Sequence, residues 1–276
     1  MPPLVNKPEL ADKRSVGNGI KYSICTLVTR PAQYEGMLES FQRGGFFGDD
    51  CEYLYLDNSK SNAHDAFSGL NLFLSVARGE RVIFCHQDVL LLADGRPRLD
   101  LVLDELEALD PAWAVCGNSG GISPGRLAVR ITDPHGADQR IEDLPARVGG
   151  LDENFLVVKR SANLGFSRDM SGFHLYGTDI CIIADVLGHT SYVIDFHIEH
   201  LSPGVRDVTL ARSRAALVAK YARAFRMRWV TAPCEIIFLS GGSLLSKAFS
   251  SHFITRSLYH VGRRFPALMR QASRRR

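Results

Sequence analysis

A chain of 276 residues, 45% of them hydrophobic, can bury one large core or two modest ones. Its six cysteines include no C-x-x-C pair, which argues against a zinc cluster or a disulfide frame and for free thiols in a reducing cytosol. The formal net charge is only +3, no apolar run approaches the roughly 18 residues that would span a bilayer, and Met1 to Arg14 lacks an apolar signal segment, so an integral membrane or secreted protein is not expected.

In chain order, Tyr22 to Val28 is an apolar run that predicts a first strand. Pro31 to Arg43 follows with helical patterning, and Glu52 to Leu56 predicts a second strand that empties into Asp57-Asn58-Ser59. Asp65 to Arg78 places Ala66, Leu70, Phe73, Leu74 and Ala77 on one stripe before Gly79 stops the helix. A third strand, Arg81 to Cys85, delivers His86-Gln87-Asp88 to the rim of the sheet. Strand, helix, strand, helix, strand implies a parallel sheet with right-handed crossovers, and ligands of such sheets collect outside the carboxyl ends of the strands.

Further along, Ala112 to Cys116 reads as another strand, Gly117 to Gly125 as a flexible polar loop, and Asp133-Pro134-His135-Gly136 as a turn between short strands. The loop has neither the Lys-Ser/Thr ending of a P-loop nor a G-x-G-x-x-G spacing, which excludes triphosphate and dinucleotide signatures. A helix is expected around Tyr176 to Ala184, with Asp179 in its first turn.

Four stretches together resemble the inverting glycosyltransferases of family two, with the GT-A fold, in the branch that carries HQDV where most members carry Asp-x-Asp. They are Tyr55 to Ser59, Asn71 to Ala77 with Gly79, Phe84 to Val89, and Gly150 to Phe155. Tyr176-Gly177-Thr178-Asp179 resembles the family's acceptor-side acidic motif, and His197 to Ser202 its distal histidine segment. The resemblance covers roughly residues 23–204 and implies an α/β fold with a mostly parallel sheet flanked by helices. It also implies transfer of a sugar, with inversion, from a nucleoside-diphosphate sugar to a hydroxyl on a glycan or lipid-linked saccharide, as in polysaccharide biosynthesis.

The chemistry of that reaction assigns the candidate residues. A departing diphosphate needs its charge neutralised, and a divalent cation does this as a Lewis acid, oxygen and imidazole donors suiting Mn²⁺ or Mg²⁺. Asp88 is the expected carboxylate ligand and His200 the second protein ligand. Asp57 and Asn58 are expected at the nucleobase and ribose, Thr26 at the base, and His86 and Gln87 where the common motif meets the ribose. Inversion requires a general base on the far side of the sugar, for which Asp179 is the first choice and Glu153 the reserve. An N-terminal cap, for Asp179, and an Asx-turn, for Asp57, are the competing local explanations.

After Glu235 the chain has no acidic residue, while Lys247, Arg256, Arg263, Arg264, Arg270 and Arg274 to Arg276 contribute +8. Leu244, Phe249, Phe253, Val261 and Phe265 interleave with these cations, which suits either an anionic membrane face or a helix packed on its own domain. No recognition motif for nucleic acid accompanies them. The expected organisation is an arm over 1–19, a catalytic domain over 20–204 and a basic helical extension over 205–276, located in the cytoplasm, and peripheral on the inner face of the membrane in the case that the tail binds lipid and does not pack on the core. Two other readings stay open, a sugar-nucleotide pyrophosphorylase and a non-catalytic carbohydrate- or membrane-binding module; the Gly-rich Arg/Lys signature of the former is missing after Val28.

Overall fold

The structure, a computed structural model, describes residues 19–204, 207–231 and 236–264. The expectations for Met1 to Arg14, Cys234 and residues 265–276 lie outside them. The chain divides into two compact units, with the boundary between Arg214 and Ala215.

The first unit opens as predicted, with β1 (Tyr22–Val28), α1 (Pro31–Arg43), β2 (Cys51–Asp57), α2 (Ala66–Val76) and β3 (Arg81–Cys85). Asp65 caps α2, its carboxylate accepting the Ser68 N–H at 3.0 Å. Gly79 is required by close approach: a Cβ there would stand 2.5 Å from the Ser23 nitrogen of β1. There follow β4 (Val89–Leu91), α3 (Arg96–Leu109), β5 (Trp113–Gly117), β6 (Ser119–Ser123), β7 (Arg126–Asp133), β8 (Gly136–Ile141), β9 (Ala146–Arg147), β10 (Gly150–Leu151), β11 (Phe155–Lys159), α4 (Tyr176–Val186), β12 (Thr190–Val193), β13 (Ile198–His200) and α5 (Val208–Ala224), which runs on into the second unit.

Seven strands form a mixed sheet in the order β2-β1-β3-β11-β5-β12-β9. Pairing is parallel across β2-β1-β3 and β5-β12, whereas β11 is inserted antiparallel to both of its neighbours. Helices cover both faces, which is why β1, β3, β5 and β11 read as nearly continuous apolar runs. Tyr22, Ile24, Ile83, Phe155 and Val157 point into one core with Met37 and Phe41 of α1 and Leu99, Val102 and Leu106 of α3. On the opposite face Phe84 meets Phe166, and Phe67 of α2 meets Tyr176 of α4.

A second sheet runs β10-β6-β7-β13-β4, with β8 on β7. This corrects the reading of Gly117 to Gly125 as a flexible loop: Ser119 to Gly121 pair with β7, and Gly120 and Gly121 also pair with β10. Glycines hide such a strand from propensity, since they carry no side chain to reveal its alternation. The turn at Asp133 to Gly136 joins β7 and β8 as expected. Cys25, Cys85, Cys116 and Cys181 are buried free thiols, and Cys51 is a half-buried one.

The second unit holds a two-stranded hairpin, β14 (Arg228–Thr231) with β15 (Ile236–Leu239), followed by α6 (Ser243–Phe249) and α7 (His252–Arg264). Trp229, Phe238 and Phe249 form its aromatic cluster, with ring centroids 5.0 to 6.4 Å apart. The extension is thus helical with a hairpin inserted. No helix among the described residues is long and apolar enough to cross a membrane.

Candidate active site

The carboxyl ends of β1, β3 and β5 and the amino end of β11 share one edge of the larger sheet, because β11 runs against its neighbours. Residues just past those ends meet there, where open α/β sheets collect ligands. A cleft of about 340 Å³ opens at this edge, with Leu27, Leu70 and Phe84 as its apolar floor and Thr29, Arg30, His86, Asp88, Glu153 and Ser202 among its polar walls.

The second sheet brings His200 to Asp88. Val89 to Leu91, directly after Asp88, form β4, and antiparallel pairing with β13 sets His200 opposite Val89. The Leu201 N–H donates to the Asp88 carbonyl at 3.0 Å. His200 Nε2 then lies 3.4 Å from Asp88 Oδ1 and 3.2 Å from Ser202 Oγ. The approach to β13 is held by charged groups: the Asp195 carboxylate accepts from Arg98 at 2.7 Å and from Arg130 at 3.1 Å, and Asp94 accepts the His197 N–H at 2.7 Å.

His86 joins the same cluster. Its Nε2 is 2.9 Å from the Tyr176 hydroxyl, which in turn donates to the Glu153 carbonyl at 3.0 Å. The ligand-type atoms of His86, Asp88 and His200 all lie within 4.8 Å of one another. A cation roughly 2.0–2.2 Å from each donor needs donors about 3–4 Å apart, so the triad is near a coordinating arrangement. Burial opposes charge on Asp88, yet the hydrogen bond and charge of His200, with His86 and Ser202, outweigh it and bring the carboxyl down to about 2. Burial and the neighbouring His200 push His86 below its ordinary value. An anionic carboxylate beside a neutral imidazole is the protonation state that cation binding requires.

Glu153 reaches the cleft through a local turn. The Asp152 carboxylate accepts the backbone N–H groups of Glu153, at 2.7 Å, and Asn154, at 3.2 Å, turning the chain just before β11. The start of α4 packs against this turn, and Gly177 permits it, since a Cβ there would stand 2.4 Å from the Leu151 carbonyl oxygen. Burial, and then the charge of Asp152, push Glu153 up to about 8, against the favourable N–H groups of Leu175, Gly177 and Tyr176. A carboxyl so shifted is suited to taking a proton near neutral pH.

Other residues singled out in the sequence have partners within the fold. Asp179 is 0% exposed and accepts both the Ser167 N–H, at 2.9 Å, and the Ser167 hydroxyl, at 2.6 Å. This corrects its assignment as the base, because a sealed carboxylate has no path to an acceptor hydroxyl. Nor does it cap α4, which has Leu175 at its N-cap position. Asp179→Ala should instead cost about 3 kcal/mol in urea unfolding by stranding the Ser167 donors; an unchanged midpoint would contradict this anchoring role.

Thr26 lies within β1, buried and paired with Tyr55, because the strand continues to Val28. The rim therefore falls at Thr29 and Arg30. Asp57 closes an Asx-turn on the Ser59 N–H at 2.8 Å, and Asn58 is buried, clamping His64 through both ends of its amide. Neither lines the cleft. Gln87 does line it, but its oxygen accepts the N–H groups of Thr29 and Arg30, both at 2.8 Å, so it braces the rim.

Arg30, Thr29, Tyr176 and Ser202 line the cleft without having been singled out for roles. The Arg30 guanidinium is exposed and makes no ion pair among the described residues. Its position two residues past the first strand was the available signal. Tyr176 stands in the motif quoted for Asp179, but nothing local gives it a role of its own; its ring is bracketed by Phe67 and Phe166 across the fold.

No protein-family model matches the chain. It is 38% identical over 231 residues to the ATP synthase subunits region ORF 6 protein of Fuscovulum blasticum, a match covering 81% of this chain and 92% of the relative. Among solved structures, TarS of S. aureus aligns with a TM-score of 0.47 and 11% identity, covering 75% of this chain and 44% of that one. TarS 1-349 in complex with UDP aligns with a TM-score of 0.43 and 9% identity, over 75% and 72% respectively. A197 from STIV gives a TM-score of 0.39 and 14% identity, over 68% and 98%.

Proposed function

We propose that this chain, which belongs to the family of the Fuscovulum blasticum ATP synthase subunits region ORF 6 protein, is a metal-assisted glycosyltransferase that moves a sugar from a nucleoside-diphosphate sugar to a hydroxyl acceptor with inversion. The observation that carries the reading is one cleft lined both by His86 and Asp88, which cluster with His200 behind them, and by Glu153, a carboxyl raised to about 8. The first can receive a diphosphate with its cation and the second an acceptor proton. The motif order of the sequence supports the same reaction over a catalytic domain at about 20–204.

Asp88 and His200 would hold Mn²⁺ or Mg²⁺, which when bound neutralises charge on the leaving diphosphate. Arg30, at the cleft rim, supplies a further cation for those phosphates. Glu153 takes the proton of the acceptor hydroxyl while its oxygen bonds to the anomeric carbon and the bond from that carbon to the diphosphate oxygen breaks. The apolar floor around Leu27 and Leu70 suits the nucleoside, beside Thr29 at the rim.

Incubation with UDP-, GDP- and dTDP-linked hexoses and Mn²⁺ should release nucleoside diphosphate slowly without an acceptor, and a chelator should stop the release. Pyrophosphate-dependent triphosphate formation would favour a pyrophosphorylase instead. Glycan binding with no turnover would favour a non-catalytic module.

The second unit supports attachment to an anionic membrane face. Among its described residues every Lys, Arg, Asp or Glu is a Lys or Arg, while Leu244 and Phe253 are 81% and 82% exposed. Such a surface gains from both apolar insertion and lipid charge. The protein should cosediment with phosphatidylglycerol vesicles at low salt, be released by high salt, and ignore phosphatidylcholine vesicles. Equal binding to both vesicle types would remove the electrostatic part of the reading.

A further inference from the structure

The hydrogen bonds around Tyr176 settle a question that distances alone leave open: which nitrogen His86 has to offer. Tyr176 has one hydroxyl proton and two partners, His86 Nε2 at 2.9 Å and the Glu153 carbonyl oxygen at 3.0 Å. A carbonyl oxygen only accepts, so the phenol proton goes to Glu153. The phenol oxygen must then accept from His86, which places the imidazole proton on Nε2. Were the proton on Nδ1, Tyr176 would face two acceptors with one donor, and a buried acceptor would go unsatisfied.

We propose that Tyr176 is a positioning residue that holds His86 as the Nε2–H tautomer, so that His86 presents the Nδ1 lone pair as a third protein ligand beside Asp88 and His200. The inference rests on the reading of the His86, Asp88 and His200 cluster as a cation site and assigns the ring nitrogen by which His86 joins it. It also moves His86 from the ribose to the cation. Two imidazoles favour Mn²⁺ over Mg²⁺, which prefers oxygen donors and retains its waters. A second hydrogen bond that fixes the tautomer is the usual companion of a metal-binding histidine. Here the companion is held in place by aromatic packing: Tyr176 is 5% exposed, with Phe67 and Phe166 edge-on at 6.4 and 6.1 Å. Its hydroxyl bond to the backbone before β11 also ties the histidine to the turn that carries Glu153.

The test has two parts. In the metal-free wild-type protein, ¹⁵N-histidine NMR should show His86 protonated at Nε2 only; an Nδ1-protonated ring overturns the proposal without any variant. Calorimetric titration with Mn²⁺ alone should then give a dissociation constant that rises about 10- to 100-fold in Tyr176→Phe, the range for losing such a partner. Thermal melts of the two proteins, compared without metal, separate this from unfolding. If the wild type binds no Mn²⁺, the cation reading itself fails. If the wild type binds and a folded Tyr176→Phe binds equally well, that reading stands and the tautomer lock is wrong.

Discussion

Asp88→Asn should lower turnover with saturating donor by about 10³-fold or more, corresponding to roughly 4 kcal/mol of lost stabilisation of the leaving diphosphate. The substitution keeps the side chain's shape and removes its charge, so the loss belongs to the cation site and not to packing. A variant that keeps wild-type turnover across a Mn²⁺ titration would refute the assignment of Asp88 to the metal. Stability should move in a defined direction as well. Because the folded carboxyl titrates at about 2, below its unfolded value, Asp88 contributes stability above the unfolded pKa that is lost as pH falls through 2. The metal-free Asn variant should therefore be less stable than wild type at pH 7, by about 1–2 kcal/mol, with the difference shrinking toward pH 2.

Glu153→Gln should lower kcat on the acceptor by about 10²- to 10⁴-fold, the scale of a lost general base, with donor binding little changed. Wild-type kcat/KM should rise with pH along a limb centred near 8, since the free enzyme's carboxyl is held protonated by burial and by Asp152, and the variant should lack that limb. The raised pKa has the opposite stability sign to that of Asp88. Glu153 is most favourable below its unfolded pKa and loses that contribution as pH rises through 8. The Gln variant should accordingly melt higher than wild type at pH 9, by several degrees, and about equally at pH 4. Retained acceptor kinetics with an unchanged pH limb would return the search for the base to other groups in the cleft.

Both variants test groups that lie far apart in sequence, and that separation explains what could be read from the chain. Local order was legible where one residue type carries one physical signal. The apolar runs at Tyr22 to Val28 and Arg81 to Cys85 are strands because both sheet faces are covered, and α1 begins at Pro31 because proline is tolerated in a first turn. The strand-end position of Asp88 followed from that order, whereas Glu153 entered only through the resemblance of Gly150 to Phe155. Side-chain direction did not. Asp179 looks as available as Glu153 in the sequence, but one is sealed against Ser167 while the other is turned into the cleft by the Asx geometry of Asp152.

Local patterning was enough to read the α/β succession, the edge of the sheet past the strand ends, and the acidic and imidazole residues lying there. Which of those residues meet is a property of the folded chain. The pairing of β4 with β13 carries His200 across more than a hundred residues to Asp88, and the packing of α4 sets Tyr176 against His86. Strand register and helix docking are set by the whole buried surface at once, so no local window of sequence contains them.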